Sequence, residues 1–150
     1  INTRATLLLA QAAYSSLKKS KGSLVAVASM SGMGAHPGMG AYSPSKAALI
    51  SLCQVLAQEW AADGINVNTV SPGMIHTPLT YEVYENNKMA KDRSALIPLG
   101  RVGEPMDIAN TIGFLLSPEA EYMTGQNLLI DGGFVGSLYS HIPGLPRSNS

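Results

Sequence analysis

The hydrophobic and polar positions of this 150-residue chain switch repeatedly between a helical period and short apolar runs. Over residues 2–20, Leu8, Ala12 and Leu17, flanked by Leu9 and Ala13, recur at roughly helical spacing and predict a helix that ends near Gly22. Residues 23–29, Ser-Leu-Val-Ala-Val-Ala-Ser, form a nearly continuous apolar run, the pattern of a strand buried on both faces of a parallel sheet. A glycine-rich loop follows from Gly32 to Gly40, then a long amphipathic helix over residues 42–61, stopped near Asp63 and Gly64. Residues 65–71 read as a second strand, closed by Pro72 and Gly73. Residues 77–87, and the stretch on to Leu96, read as loosely packed helix. Pro98 to Arg101 is a turn, and Glu104-Pro105 opens a helix with Ile108, Ile112, Leu115 and Leu116 on its apolar face. Residues 127–130 are a last strand, closed by Asp131-Gly132-Gly133.

Helix and strand therefore alternate three times, which predicts an α/β fold with a doubly wound parallel sheet and right-handed crossovers. Residues 1–134 form one unit without internal repeats, and residues 135–150, rich in Gly, Pro and Ser, read as an extended or disordered tail. In open α/β sheets ligands bind beyond the carboxyl ends of the strands. Ser29, the Ser71-Pro72-Gly73 segment and Asp131-Gly132-Gly133 fall at those ends.

Composition narrows the function. Apolar residues make up 45% of the chain and the formal charges cancel, so a core can be buried and no basic footprint for nucleic acid is present. Lys18, Lys19 and Lys21 read as a solvated helix end. The apolar runs are too short to span a bilayer, and no signal peptide is visible. Cys53 is the only cysteine, which rules out an intrachain disulfide and fits a reducing, cytoplasmic setting. It reads as a small core or interface residue. His36, His76 and His141 lie far apart without metal-ligand spacing, so no metal is expected, and they read as surface or substrate-mouth residues.

The chemistry centres on Tyr42 and Lys46. Residues four apart share a helix face, so a phenol and an ammonium can serve one ligand. A free phenol ionises near pH 10, and a neighbouring cation and a helix N-terminus both favour the phenolate. Such a tyrosine is a candidate general acid or base for a hydroxyl or carbonyl. The spacing alone is common, and a solvated helix face is its ordinary meaning; the flanking motifs raise it.

Those motifs give the chain a close resemblance to the short-chain dehydrogenase/reductase family. Ser29 lies thirteen positions before Tyr42, in the segment Val27-Ala28-Ser29-Met30-Ser31-Gly32. Asn2 precedes Ser29 by twenty-seven. Downstream, Ile65-Asn66-Val67-Asn68-x-Val70-Ser71-Pro72-Gly73-x-Ile75-x-Thr77 is similar to the family's nicotinamide-side strand and loop. Pro98-Leu99-Gly100-Arg101, Asp107-Ile108-Ala109 and Thr124-Gly125-Gln126-x4-Asp131-Gly132-Gly133 are similar to its C-terminal signature. The likeness runs from Ile1 to about Phe134.

The resemblance implies an NAD(P)-dependent oxidoreductase that interconverts a hydroxyl and a carbonyl on a small ketone- or polyol-type substrate. It makes Tyr42 the general acid/base, Ser29 a donor to the substrate oxygen, Lys46 the partner of Tyr42 and of the nicotinamide ribose, and Asn2 the holder of a relay water. It places Pro72, Gly73, Ile75 and Thr77, with Tyr42 and Lys46, against the cofactor, NADP or NAD. Asn2 and Thr77 also suit plain helix capping, and Asp131-Gly132-Gly133 reads as a turn rather than a site. Gly34 to Gly40 has the Gly-x-x-x-Gly-x-Gly spacing of a phosphate loop but is rejected. Pro37 removes a donor and the next helix already carries Tyr42 and Lys46.

The chain begins at Ile1 and enters helix almost at once, so a fragment or a processed subunit is expected. The phosphate loop and the residue that selects NAD or NADP are not in it, and the working enzyme is expected to need that N-terminal half. A homo-oligomer, tetramer or dimer, is implied, pairing through the first two long helices, where Leu49, Leu52, Leu56 and Trp60 serve either that face or the core. Residues 74–96 and 33–39, with Met33, Met39, Leu79, Tyr81, Tyr84 and Met89, are expected to cover the substrate. Short stretches such as Glu59-Trp60-Ala61 lean towards polyol- and sorbose-type reductases. The alternative readings are a truncated, non-catalytic relative acting as an interaction subunit, and isomerase or lyase chemistry on the same fold.

Overall fold

The computed structural model describes residues 2–144. Three parallel strands, β1 (Ser23–Val27), β2 (Asn66–Pro72) and β3 (Asn127–Ile130), form one sheet in that order. Ser23 lies opposite Asn66, Val27 opposite Val70, and Pro72 opposite Ile130. The helices are α1 (Asn2–Ser20), α2 (Tyr42–Trp60), α3 (Tyr81–Glu85), α4 (Asn87–Leu96) and α5 (Pro105–Leu115).

Side chains alternate across a strand, and two cores result. Val67 and Ala26 pack with Ala10 of α1 and with Leu49, Cys53, Leu56 and Trp60 of α2. Val70 packs on the opposite face with Ile108 and Leu115 of α5. Leu49, Leu56 and Trp60 are therefore core residues, which decides between their two sequence readings. Trp60 also meets Tyr14 of α1 at 5.0 Å between ring centroids. The buried thiol of Cys53 is pushed up to about 11 by desolvation, so it stays protonated and unreactive at neutral pH.

Asn68 of β2 is fully buried and satisfied at both ends. Its Nδ2 donates to the Met123 carbonyl at 2.7 Å, and its Oδ1 accepts the Gln126 N–H at 3.0 Å. An unpaired amide here would be costly, so this contact fixes how the chain enters β3.

Two sequence expectations are corrected, the bounds of β2 and the start of the tail, and two others gain detail. β2 starts one residue later than the apolar run and includes Pro72, because pairing with β3 continues to Ile130. The two helical stretches expected over residues 77–96 meet at Asn86, whose side chain accepts the N–H groups of Lys88 and Met89 and starts α4 afresh. Lys18 is exposed at the end of α1 as expected, and its Nζ also lies 2.6 Å from the Asp63 carboxylate. The tail does not begin extended. Val135–His141 is a 3-10 helix, because the Asp131 carboxylate gathers the N–H groups of Gly133 and Val135 and Ser137 turns inward. The part of the predicted tail from residue 145 onward, like Ile1, lies outside the described residues.

α5 opens on a capping contact within an ion-pair cluster. Arg101 donates to both oxygens of Asp107, at 2.7 and 2.9 Å, and the Glu104 N–H donates to Asp107 at 2.7 Å. These donors, Arg101 first, hold the Asp107 carboxyl down to about 2. Its folded value lies below the unfolded one, so its contribution is complete above about pH 4 and is lost as pH falls towards about 2. The melting-temperature gap between wild type and Asp107→Asn is thus expected at pH 5–7 and should close by about pH 2. A gap of constant size down to that pH would contradict the ion-pair origin.

Among the described residues, the outer side of β1 has no partner strand. The Gly22 carbonyl and the Ala28 N–H point to β2, so the backbone groups of Ser23, Val25 and Val27 point outward. Beside that edge runs a groove of about 420 Å³, lined by Asn2, Thr6, Leu9, Val25, Val27 and Lys46 among others.

Candidate active site

The site is assembled where β1 ends and α2 begins. Ser29, just beyond β1, caps the 3-10 turn Met30–Gly32, and its Oγ accepts the Ser31 N–H at 3.1 Å. That leaves the Ser29 hydroxyl proton free to donate elsewhere. Gly32 seats this turn on α2. A Cβ there would lie 2.8 Å from the Lys46 carbonyl carbon and 2.9 Å from the Ala47 nitrogen, closer than any side chain allows. The glycine is therefore what lets the Ser29 turn rest against the helix backbone.

Tyr42 is the first residue of α2, and its side chain is about one-third exposed, at 37%. Lys46 follows one turn later, with Nζ 5.8 Å from the Tyr42 ring centroid. Nζ donates to the Val27 carbonyl at 2.8 Å. An ammonium has three donors, so two remain for a ligand. Partial burial lowers the Lys46 pKa from its ordinary value by penalising the charged form.

Asn2 joins the same cluster from α1. Its Nδ2 donates to Ser45 Oγ at 3.1 Å, and the neighbouring Thr3 hydroxyl donates to the Ser45 carbonyl at 2.9 Å. The Asn2 amide oxygen is left to accept from a water. Asn2, Ser29, Tyr42 and Lys46 thus surround the first turn of α2 and the end of β1.

The second group lies at the end of β2. Gly73 donates its N–H to the Ile130 carbonyl at 2.9 Å and abuts Asp131. Ile75 bridges to Gly103, and the His76 N–H donates to the Gly103 carbonyl at 2.8 Å. The Thr77 N–H donates to Thr80 Oγ1 at 2.9 Å, so Thr77 does start the following 3-10 turn. Pro72, Gly73, Ile75 and Thr77 therefore form a braced loop at the carboxyl edge of the sheet. Beneath it is a cavity of about 190 Å³ whose charged walls are already engaged, Arg101 with Asp107 and Asp131 with turn N–H groups.

Donors and acceptors here suit the ribose and nicotinamide end of NAD(P): two ammonium donors without a partner among the described residues, a phenol about one-third exposed and a braced strand-end loop. The loop Gly34 to Gly40 is a poor phosphate cradle. The Tyr42 N–H already bonds the Met39 carbonyl at 3.0 Å, and the Met39 N–H bonds the His36 carbonyl at 3.3 Å. Its rejection on sequence grounds therefore has a physical counterpart.

Sequence reasoning missed one pair. Ser31, buried, lies with Oγ 2.8 Å from His36 Nδ1. A serine two residues past Ser29 and a histidine five further on carry no period that would reveal it.

A family model described as enoyl-(acyl carrier protein) reductase matches residues 1–135. The chain belongs to the short-chain dehydrogenase/reductase family. It is 39% identical over 143 residues to a tropinone reductase homolog of Arabidopsis thaliana, covering 95% of this chain and 47% of that protein. It is 43% identical over 119 residues to the 3-oxoacyl-[acyl-carrier-protein] reductase of Thermotoga maritima, covering 79% of this chain and 48% of the relative. Among solved structures, a 4-hydroxyisoleucine dehydrogenase complexed with NADH superimposes with a TM-score of 0.85 at 37% identity. That match covers 90% of this chain and 56% of the other. A putative 2-deoxy-d-gluconate 3-dehydrogenase from Agrobacterium tumefaciens with bound NADP gives 0.84 at 34% identity, with 91% and 56% covered. The short-chain dehydrogenase/reductase chain described here thus spans about half the length of the relatives it matches, and its three-stranded sheet corresponds to the C-terminal part of their fold. Among its described residues no helix is long and apolar enough to cross a membrane.

Proposed function

We propose that the full-length gene product is an NAD(P)-dependent oxidoreductase interconverting a hydroxyl and a carbonyl on a small ketone- or polyol-type substrate. The observation that carries this reading is the gathering of Asn2, Ser29, Tyr42 and Lys46 around one helical turn. A bound nicotinamide would supply or accept the hydride. Tyr42 Oη gives a proton to the carbonyl oxygen in reduction and takes one from the alcohol in oxidation. Ser29 donates its free hydroxyl proton to the same oxygen as charge develops there. Lys46 keeps one donor on Val27 and offers the others to the ribose hydroxyls, while Asn2 holds a water for proton exchange. Pro72, Gly73, Ile75 and Thr77 hold the nicotinamide side, and Met33, Met39 and α3–α4 cover the substrate.

The diphosphate end is assigned to a further segment that pairs along the outer edge of β1 and fills the groove at Asn2 and Lys46, in the same polypeptide or in a partner. Assembly as a homo-oligomer goes with this reading, and Leu8 and Val55, both about half exposed on α1 and α2, are available for it. A cytoplasmic location fits the single buried thiol. The second reading, a non-catalytic interaction subunit, draws on the same exposed residues and the open edge.

Fluorescence titration with NADH and NADPH, on this chain and on the full-length product, tests the proposal. Binding is expected only in the longer protein, and Lys46→Ala should weaken it by roughly tenfold or more, the loss of charge-assisted hydrogen bonds. An unchanged dissociation constant in that variant would remove Lys46 from the cofactor site. Absence of binding to either polypeptide would favour the interaction subunit.

A further inference from the structure

The pair Ser31–His36 lies on the wall of a second groove, of about 520 Å³, between the loop after β1 and the first turn of α2. Ser31, Met33 and His36 line one wall, and Ser43, Pro44 and Ala47 the other. Each wall is a chain neighbour of the reaction site, although Ser29, Tyr42 and Lys46 do not themselves line the groove: the Ser31 backbone N–H donates to Ser29 Oγ, and Ser43 follows Tyr42. The Ser43 hydroxyl is buried without a hydrogen-bond partner among the described residues, behind a groove surface that is mainly apolar, so a polar group exposed on the opposite wall stands out.

The hydrogen-bond arrangement sets the His36 tautomer. Among the described residues, Ser31 Oγ has one partner, His36 Nδ1 at 2.8 Å. If Nδ1 carried the proton, the buried Ser31 hydroxyl proton would have nowhere to go. If Ser31 donates, only lone pairs are left over, and unsatisfied acceptors are the better tolerated. Ser31 O–H therefore donates to Nδ1, and the neutral ring carries its proton on Nε2. His36 is exposed, so this fixed donor faces outward from a wall that also carries the apolar Met33.

We infer that His36 Nε2–H is a specificity-determining donor that selects substrates bearing a second oxygen acceptor, a hydroxyl or a carboxylate, away from the reacting carbonyl. This rests on the oxidoreductase reading and names the substrate class for it. Ser31 is a positioning residue, acting through the ring it orients.

The test uses the full-length holoenzyme and three ketones of one skeleton: 4-oxopentanoate, 5-hydroxy-2-pentanone and 2-pentanone. The first two should exceed 2-pentanone in kcat/KM by roughly five- to tenfold, the value of one hydrogen bond. His36→Leu should shrink that ratio to about one through KM rather than kcat. His36→Gln, which keeps an N–H donor, should restore part of it, and Ser31→Ala should lower it without touching the ring. A ratio that survives His36→Leu overturns the assignment. Nitrogen-15 resonances of His36 give a readout independent of turnover. Nε2 should shift on adding 4-oxopentanoate and stay put with 2-pentanone. Equal or absent shifts overturn the inference even if all three ketones are reduced. Loss of all turnover with the selective shift retained would count against the oxidoreductase reading and for the binding site.

Discussion

Replacing Tyr42 with phenylalanine is expected to lower the turnover of the full-length product by about 10²- to 10⁴-fold, the usual range for removing a general acid or base. Nicotinamide-nucleotide affinity should change far less. The reasoning is local. The ring stands at the start of α2, about one-third exposed, and keeps its place beside the Lys46 ammonium when only the hydroxyl goes. Lys46 remains tied to Val27, so the cofactor-facing donors stay in place. The loss should therefore fall on kcat, with the nucleotide dissociation constant within about threefold, less than the value of one hydrogen bond. Single-turnover kinetics with a reducible ketone would measure it. A variant that turns over at the wild-type rate would remove Tyr42 from proton transfer.

Gly73→Ala is expected to cost about 1–3 kcal/mol of stability by overpacking, or roughly 2–4 °C of melting temperature per kcal/mol for a domain of this size. An added Cβ would stand 2.5 Å from Asp131 Cβ and 2.7 Å from its Cα. Neither atom is the tip of a flexible side chain, and Asp131 is itself held by the N–H groups of Gly133 and Val135. The strand-end loop must then move off β3, carrying Ile75 and Thr77 with it. Gly113→Ala makes the contrasting case. It lies in α5 with nothing within 4 Å of the new methyl, and alanine there should stabilise by up to about 1 kcal/mol. Thermal unfolding of both variants of the full-length product reads the sign. Equal shifts would mean that the Gly73–Asp131 approach is not what constrains the loop.

Much of this architecture is written in short-range pattern. Apolar runs separated by glycine and proline located β1, β2 and β3, and the helical-period spacing in α1, α2 and α5 located the helices that cover them. The four residues around the first turn of α2 were found because their chemistry and spacing agree with a family pattern, and the structure brings their elements together. What the pattern could not carry are contacts between segments with no shared period. The fit of Gly32 on the Lys46–Ala47 backbone is one, since a glycine in a glycine-rich loop looks like any other until a helix is placed behind it. The Asn68 side chain is another. A buried amide in an apolar run reads as a blemish, yet it joins β2 to the chain entering β3. The 3-10 helix Val135–His141 was hidden because Gly and Ser content says little about where a single carboxylate, Asp131, can gather backbone donors.

The bond from Lys46 to Val27 has a consequence for how far the sheet can grow. Val27 offers the last outward carbonyl of β1, and the lysine already occupies it. A strand zipping along this edge can use the outward groups of Ser23 and Val25 but meets a cation where its final rung would form. The side chain takes one of the two lone pairs of that carbonyl and crowds the last rung, so it marks the end of the freely available edge. The register of any added strand is thereby tied to the place of the lysine that the site uses.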